Sequence, residues 1–513
     1  MKTITSTVLF SLSIFVVSLR PSVLATGQGN KTATLKDNVH VWWSSELLPG
    51  SAVWFTDPPK DTDIKYRLSL QKEIEWNGFS SGRGTIFKID TSMTYQSVLG
   101  IGISLEATSL YALMKNKNEQ KIRDLIRLIL DPENGMGLNL FRVTIGTSDF
   151  SDGRKYSNHP QGFYTYQDNQ DEAFSIQPDI DFGIIKMLQL FVEEAASLNQ
   201  KIKFFASEWS PPPWMKSSGN IIGGTLKAGY EKQLALYFRR FIDAYEAKGV
   251  PIYAITIQNE PNFTPDSYPG MKLSPEQERD IAVAVFGEFR DTADGKRRID
   301  TRIWINDHNM NHWSNANKVL NDLEDAGKQQ AVDGVAFHNY NPMSSAGNMS
   351  RLHERHPDKE IHLTEHSEWG ASGMYTIQDY FLNWSRSYTY WVPMTTIKLD
   401  EHNQGPYNNI SELSPTLFIE RGADTTDMYV TPEFYLLSQF SKFIRSGALR
   451  VECNRGSEKT ITAVVFRNKD NSMVQVLVNQ TKAEQQFTTV VGSKCFKGVL
   501  PPGTVGTFLW KNN

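Results

Sequence analysis

The stretch Ile252-Tyr253-Ala254-Ile255-Thr256-Ile257-Gln258-Asn259-Glu260-Pro261, followed after a polar loop by Ser274-Pro275-Glu276-Gln277 and then Ile281, Val285 and Phe289, is a strand that turns and returns as a helix. The first part is short, apolar and rich in β-branched residues, and a proline ends it, as expected of a buried strand. The second part opens with a capping serine, a proline at the first helical position and a glutamine placed to close a capping box. Its apolar residues then recur every fourth position and make one buried stripe. Together the two parts are a βα unit.

The same alternation runs outward in both directions from this unit. Short apolar runs occur at 97–105, 137–145, 201–207, 252–258, 302–306, 332–338, 360–364 and 392–399. Helical patterns follow at 119–129, 182–199, 226–248, 275–292, 315–326, 349–356, 374–387 and 432–444. Eight strand–helix pairs predict an α/β fold of the (β/α)8 TIM-barrel type rather than an open doubly wound sheet, which normally stops earlier, and no glycine-rich dinucleotide fingerprint argues otherwise. The flanks differ. Residues 38–90 and 448–509 carry short alternating runs such as Val474-Gln475-Val476-Leu477-Val478, the pattern of antiparallel strands. The expected organisation is a signal peptide at 1–25, N-terminal strands at 26–95, the barrel at 96–447 and C-terminal strands at 448–513, with the two flanks pairing into one β-sandwich domain.

A chain of 513 residues that is 40% hydrophobic is an ordinary packed protein, and a formal net charge of −4 offers no basic surface for a phosphate backbone. No nucleic-acid partner is therefore expected. The first 25 residues run from Lys2 through an apolar core to Val23-Leu24-Ala25, which predicts a cleaved signal peptide and a secreted or lumenal (extracellular or lysosomal) protein. That core is shorter than a spanning helix needs, so the mature chain is expected to lack a transmembrane segment. Sequons at Asn30, Asn262, Asn348, Asn383, Asn409 and Asn479 agree with export and mark candidate glycan acceptors. The two cysteines, Cys453 and Cys495, are compatible with one disulfide or with two free buried thiols, and they form no metal cluster.

In a TIM barrel the site lies at the carboxyl ends of the strands. Two carboxylates stand there: Glu260, after the fourth run and between Asn259 and Pro261, and Glu365, after the seventh run in Thr364-Glu365. Cleaving a glycosidic bond with retention takes one carboxylic acid to protonate the leaving oxygen and one carboxylate to attack the anomeric carbon, about 5–5.5 Å apart. Strands four and seven face each other across a barrel mouth, so the pair can meet. A single glutamate at a strand end is more often a solvated turn residue; here two occur at facing positions. The pair suffices for the reaction, so neither metal nor organic cofactor is expected. An aromatic content of 12%, with 12 tryptophans, suits stacking on sugar rings, although large cores bury aromatics too.

Gly100-Ile101-Gly102, Phe141-Arg142-Val143, Ser148-Asp149-Phe150-Ser151, Ala206-Ser207-Glu208-Trp209-Ser210-Pro211, Tyr253 to Pro261, Val335-Ala336-Phe337-His338, Thr364-Glu365 and Gln439-Phe440-Ser441-Lys442-Phe443-Ile444 occur in this order. On these motifs the region from Gln96 to Gly447 resembles glycoside hydrolase family 30, which includes the glucosylceramidases. The resemblance implies a retaining β-glycosidase with Glu260 as acid/base and Glu365 as nucleophile. It implies Asn259 as a donor to the sugar 2-hydroxyl, Arg142 and Tyr340 beside the nucleophile, and His338 and Trp209 lining the pocket. Bland roles stay open beside these: Arg142 as a buried ion-pair partner, His338 as a satisfied core histidine, Trp209 as packing.

Departures fall on the residues that hold the sugar. Gly100-Ile101-Gly102-Ile103-Ser104-Leu105-Glu106 is one residue shorter than the family's pattern and carries Glu for Asp, so Glu106 is expected to grip sugar hydroxyls at altered depth. The family's Trp-Asn after the eighth strand is missing before Leu399-Asp400-Glu401, which predicts a lost aromatic wall, with Asp400 and Glu401 retained as hydroxyl ligands. Glu208 stands where a proline is common and has no assigned role. The expected substrate is a glucosyl lipid or another β-linked glycan, with transient membrane-surface contact in the lipid case. The rival reading is a catalytically silent carbohydrate-binding barrel protein.

Overall fold

The computed structural model describes residues 38–46, 67–114, 118–151, 162–391, 393–396, 418–420 and 428–512. Eight parallel strands close into a barrel: β1 Gly100–Ser104, β2 Leu140–Ile145, β3 Lys203–Glu208, β4 Ile252–Thr256, β5 Arg302–Asn309, β6 Gly334–His338, β7 Glu360–Glu365 and β8 Ser387–Tyr390. Closure comes from β8 pairing with β1, Ser387 opposite Gly100 through Tyr390 opposite Ile103. Gly102 is required there, because a Cβ would lie 1.4 Å from the Leu140 carbonyl oxygen of β2. Helices lie between the strands and cover them. Helix Pro275–Arg290 shows the expected capping box, Ser274 with Gln277, and buries Ile281, Val285 and Phe289.

The eighth strand corrects the sequence expectation. The run at 392–399 is not in the barrel: Met394–Thr396 joins Phe418–Glu420 and Met428–Val430 in a separate three-stranded sheet. The expected helix 374–387 is instead Gly370–Leu382, and the chain turns back into the barrel at Ser387-Tyr388-Thr389-Tyr390. All four residues are buried, yet all four carry hydroxyls, and no apolar-run criterion selects such a stretch.

Side chains two apart along the strands form layers inside the barrel. The lower layer is apolar, with Leu140, Phe205, Ala254, Trp304 and Ala336, and with His362 stacked 4.0 Å above the Trp304 ring. Two residues further along, the chemistry changes to Arg142, Ser207, Thr256, His338 and Thr364, all buried. This polar layer is the floor of the site.

The remaining strands form one hydrogen-bonded sheet system drawn from both ends of the chain. His40–Ser45 pairs antiparallel with Thr504–Lys511, and Thr85–Ser97 lies between Leu449–Cys453 and Gln485–Val491. Its core includes Phe87, Val465, Leu477, Phe496, Phe508 and Trp510. The sandwich is pinned to the barrel by Gln378, which donates to the carbonyls of Thr462 and Val476, and by Gln439, which donates to Ser44. Cys453 and Cys495 are both buried and free. Asn479 is fully buried and gives its amide to the carbonyls of Ala483, Leu500 and Pro501, which leaves no room for a glycan at that sequon. Residues 1–25, Asn30, Asp400, Glu401 and Asn409 lie outside the described residues, and no helix among the described residues is long and apolar enough to cross a membrane.

Candidate active site

The polar floor is organised by a residue that sequence reading passed over. In β5, Asn306 and Asp307 have φ of 73° and 37°, and the register against β6 shifts beside them. This bulge takes the strand out of simple alternation, and the Asp307 carboxylate points into the barrel. The Asn306 amide freed by the bulge is satisfied by Glu278 of helix Pro275–Arg290, at 2.7 Å.

Asp307 accepts hydrogen bonds from the Thr256 and Thr364 hydroxyls, both at 2.7 Å, from Arg142 Nη2 at 2.9 Å, from Ser207 at 3.0 Å, and contacts His338 Nε2 at 3.0 Å. Burial would raise its pKa, but Arg142 and His338 outweigh that and hold it far below the usual carboxylate range. The two cations are stabilised in return. Burial lowers His338, while Glu365 and Asp307 lift it to about 10.

Arg142, wholly buried, spreads its guanidinium over the whole floor. It donates to Asn259 Oδ1 at 2.8 Å, to Asp307, to Ser207 and, through Nη1, to Glu365. Its faces meet tryptophans, with centroids at 4.8 Å for Trp209 and 5.6 Å for Trp391. The two indoles stack at 5.8 Å with 22° between planes, and Phe150 meets Trp391 edge-on. Trp391 directly follows β8. The expectation of a lost aromatic wall is therefore corrected: an indole does stand at the end of the eighth strand, and it was missed because the strand itself was placed too far along the chain.

Glu260 and Glu365 do converge. Glu365 ends β7, where a register shift against β6 sets it opposite His338. Glu260 follows β4 in the left-handed region, φ 49°, held there by its amide donating to the Asp307 carbonyl at 2.9 Å. One imidazole spans the pair, with His338 Nδ1 3.5 Å from Glu260 and Nε2 3.7 Å from Glu365. The carboxylates are thus no farther apart than those two contacts and the width of a ring, which does not exceed the upper end, about 9.5 Å, of the separations over which carboxylate pairs cleave glycosides.

Other side chains complete the surroundings. His308 Nδ1 also lies 3.5 Å from Glu260. Burial would raise Glu260, but the contacts from His308 and His338 outweigh it and hold the carboxyl well below its usual range. Tyr340 is exposed as a residue, while its hydroxyl is sunk against Glu365; burial and that carboxylate push the phenol well above its usual range. Asp149, buried early in the loop after β2, is pushed well up by burial and by Glu365 and Glu106.

Glu106, expected to grip sugar hydroxyls, sits differently from expectation, and Glu208 had no expected role. Glu106 is fully enclosed, and the Ser104, Thr144 and Ser148 hydroxyls all donate to it at 2.6–2.7 Å. Its oxygens serve the protein's own hydroxyls, and it anchors the loop that carries Asp149. Glu208 follows the inward Ser207 and so points out of the barrel; among the described residues neither of its oxygens has a hydrogen-bond partner, and burial pushes it well above the usual range. Of the residues missed, Asp307, His308 and Trp391 all lie at the carboxyl end of a barrel strand, so inspecting every polar or aromatic residue after the fifth run would have found the first two.

Residues 98–444 match the glycosyl hydrolase family 30 TIM-barrel domain, and residues 447–508 match the glycosyl hydrolase family 30 beta sandwich domain. An endo-1,6-beta-D-glucanase of Aspergillus fumigatus is 27% identical over 82% of this chain and 86% of its own. The lysosomal acid glucosylceramidase of Mus musculus is 26% identical over 84% of each chain. Among solved structures, SrfJ from Salmonella typhimurium superposes with a TM-score of 0.77 at 19% identity, covering 93% of this chain and 100% of the other, a likeness of fold.

Proposed function

This chain belongs to glycosyl hydrolase family 30 and is a glycosidase acting on β-glycosides, and from that premise we propose that it cleaves its substrate with retention by double displacement, Glu365 as nucleophile and Glu260 as acid/base. The observation that carries this reading is the single His338 ring in contact with both carboxylates.

In the first step a Glu365 oxygen attacks the anomeric carbon while Glu260 protonates the departing oxygen; in the second, water attacks the glycosyl–Glu365 ester and Glu260 takes its proton. Arg142 and the Tyr340 hydroxyl, both against Glu365, keep its carboxylate aimed. Because Asn259 Oδ1 already accepts from Arg142, its NH2 group is the end left to donate to a sugar 2-hydroxyl. Trp209 and Trp391 form the apolar wall, and Asp149 supplies a hydroxyl acceptor. The expected substrate is a β-linked glucoside, in a glucosyl lipid or a β-1,6-glucan, consistent with the names its relatives bear. Phe263, Met343 and Trp369, exposed on the loops after β4, β6 and β7, give the acceptor side an apolar rim on which a sugar face or a lipid at a membrane surface can rest. Residues 1–25 are proposed to direct export.

The test is turnover of aryl β-glucoside, β-xyloside, β-galactoside and β-fucoside and of β-1,6-glucan. Release from one of them, abolished by several orders of magnitude in Glu365→Gln, is the expected result. Turnover of none would favour a silent binding protein, and turnover undiminished in Glu365→Gln would overturn the nucleophile assignment.

A further inference from the structure

Glu260 has to carry a proton when the leaving oxygen departs, yet two imidazoles favour its ionised form. Both reach the same oxygen, Oε1, at 3.5 Å. They are not equivalent. The other nitrogen of His338 is committed to Asp307 at 3.0 Å and lies 3.7 Å from Glu365, so His338 is a fixed cation of the floor. His308 has Glu260 as its ion-pair partner among the described residues. Its side chain is buried, and Nδ1 makes no hydrogen bond other than the long contact to Glu260. Its ring face is covered by His312, parallel at 4.3 Å and 9°. The pairing is also fixed through the backbone: His308 directly follows Asp307, whose carbonyl accepts the Glu260 amide. The other titratable groups that influence Glu260 or are influenced by it are Asp149, Tyr268, Tyr340 and His312, with Glu365 beyond His338.

We infer that His308 is the proton-holding partner of Glu260, the two sharing a single proton that the leaving group receives. This rests on the reading of Glu260 as acid/base. At rest the proton sits on the imidazole and the carboxylate is ionised. As the glycosidic C–O bond breaks, with its electron pair going to oxygen, the imidazolium proton passes to the carboxylate and from it to that oxygen. His308 and Glu260 are then both deprotonated, which is the state the second step needs. Water attacks the anomeric carbon, the ester electron pair returns to Glu365, and the water proton passes to Glu260 and back to His308. His312 holds the outer face of the ring and keeps Nδ1 directed at the carboxylate. His308 is thus a positioning residue that acts through Glu260.

Two measurements test this. With a poor, unactivated leaving group, the alkaline limb of kcat/KM in the wild type follows the imidazole of the pair. In His308→Gln it moves acid-ward by at least about one pH unit, because a carboxyl beside the fixed His338 cation titrates alone. With a 2,4-dinitrophenyl glycoside, whose departure needs no proton, the limbs of the two proteins coincide. A structural role alone would lower both substrates alike and move neither limb, and that result overturns the inference. The second measurement needs no turnover: the Glu260 carboxyl, which His308 holds low, titrates about one unit higher by NMR across pH in His308→Gln than in the wild type. An unchanged midpoint overturns the pairing even in an active glycosidase, whereas a wild type that cleaves nothing overturns the parent reading instead.

Discussion

Replacing Asp307 with asparagine keeps the shape of the floor and removes the charge at its centre. The carboxylate satisfies two buried cations, Arg142 at 2.9 Å and His338 at 3.0 Å, and three hydroxyls within 3.0 Å. An amide can accept at one atom only, and its NH2 group is turned toward donors. Breaking a buried ion pair by removing one partner costs about 3–5 kcal/mol. Arg142 keeps Glu365 and Asn259, which places the expected loss near the lower end, about 3 kcal/mol. The sign with pH follows from the direction of the shift. Asp307 titrates lower folded than unfolded, so its contribution is present above the ordinary aspartate value and fades as pH falls below it. The cost of Asp307→Asn is therefore full between about pH 5 and neutrality and shrinks as pH rises toward 10, where the wild type loses the stability of the lifted His338 titration. The same change releases His338, whose ring titration falls from about 10 toward neutrality. With His338 no longer fixed and Arg142 held by fewer partners, kcat/KM falls by about a hundredfold. Urea unfolding at pH 6, histidine NMR and aryl-glycoside kinetics read the three effects. A loss under about 1 kcal/mol, no more than an exposed surface pair gives, together with kcat/KM within threefold of wild type, would refute the central role given to this carboxylate.

Trp391→Ala removes the wall that stacks on Trp209 and covers Arg142; it should destabilise by about 3–5 kcal/mol and raise KM more than it lowers kcat, checked by denaturation and steady-state kinetics. Glu208→Gln removes a buried acid whose folded pKa is raised, so the variant should match wild type near pH 4.5 and exceed it in melting temperature at pH 8, where wild type bears the cost of ionisation; a pH-independent difference would count against it. Asp179, which accepts from the hydroxyls of Tyr164, Tyr166 and Tyr245 at 2.5–2.6 Å, is pushed up to about 6 by burial. Wild type therefore loses up to about 3 kcal/mol from this group between pH 4 and 7, and Asp179→Asn should flatten that part of the stability profile measured by urea titration.

The amino-acid sequence by itself determined the repeating βα units, the sandwich strands at both ends, and the two glutamates at facing strand ends. Those are local properties: the spacing of apolar residues reports which face of an element is buried, and a carboxylate after a strand is visible without knowing what it meets. What only tertiary structure decided is where the regular alternation breaks. Ser387-Tyr388-Thr389-Tyr390 becomes the eighth strand because Gly100–Ser104 needs a partner to close the barrel, not because it is apolar. Asp307 faces inward because a bulge with two left-handed residues takes β5 out of phase, and the amide so freed is met by a side chain of the preceding helix, brought there by packing. Glu106 is enclosed by hydroxyls from β1, β2 and the loop after β2, a matter of depth that spacing cannot report. Periodicity fixes faces; the closure of the barrel and the bulges it accommodates fix phase and depth, and these depend on neighbours far away in the chain.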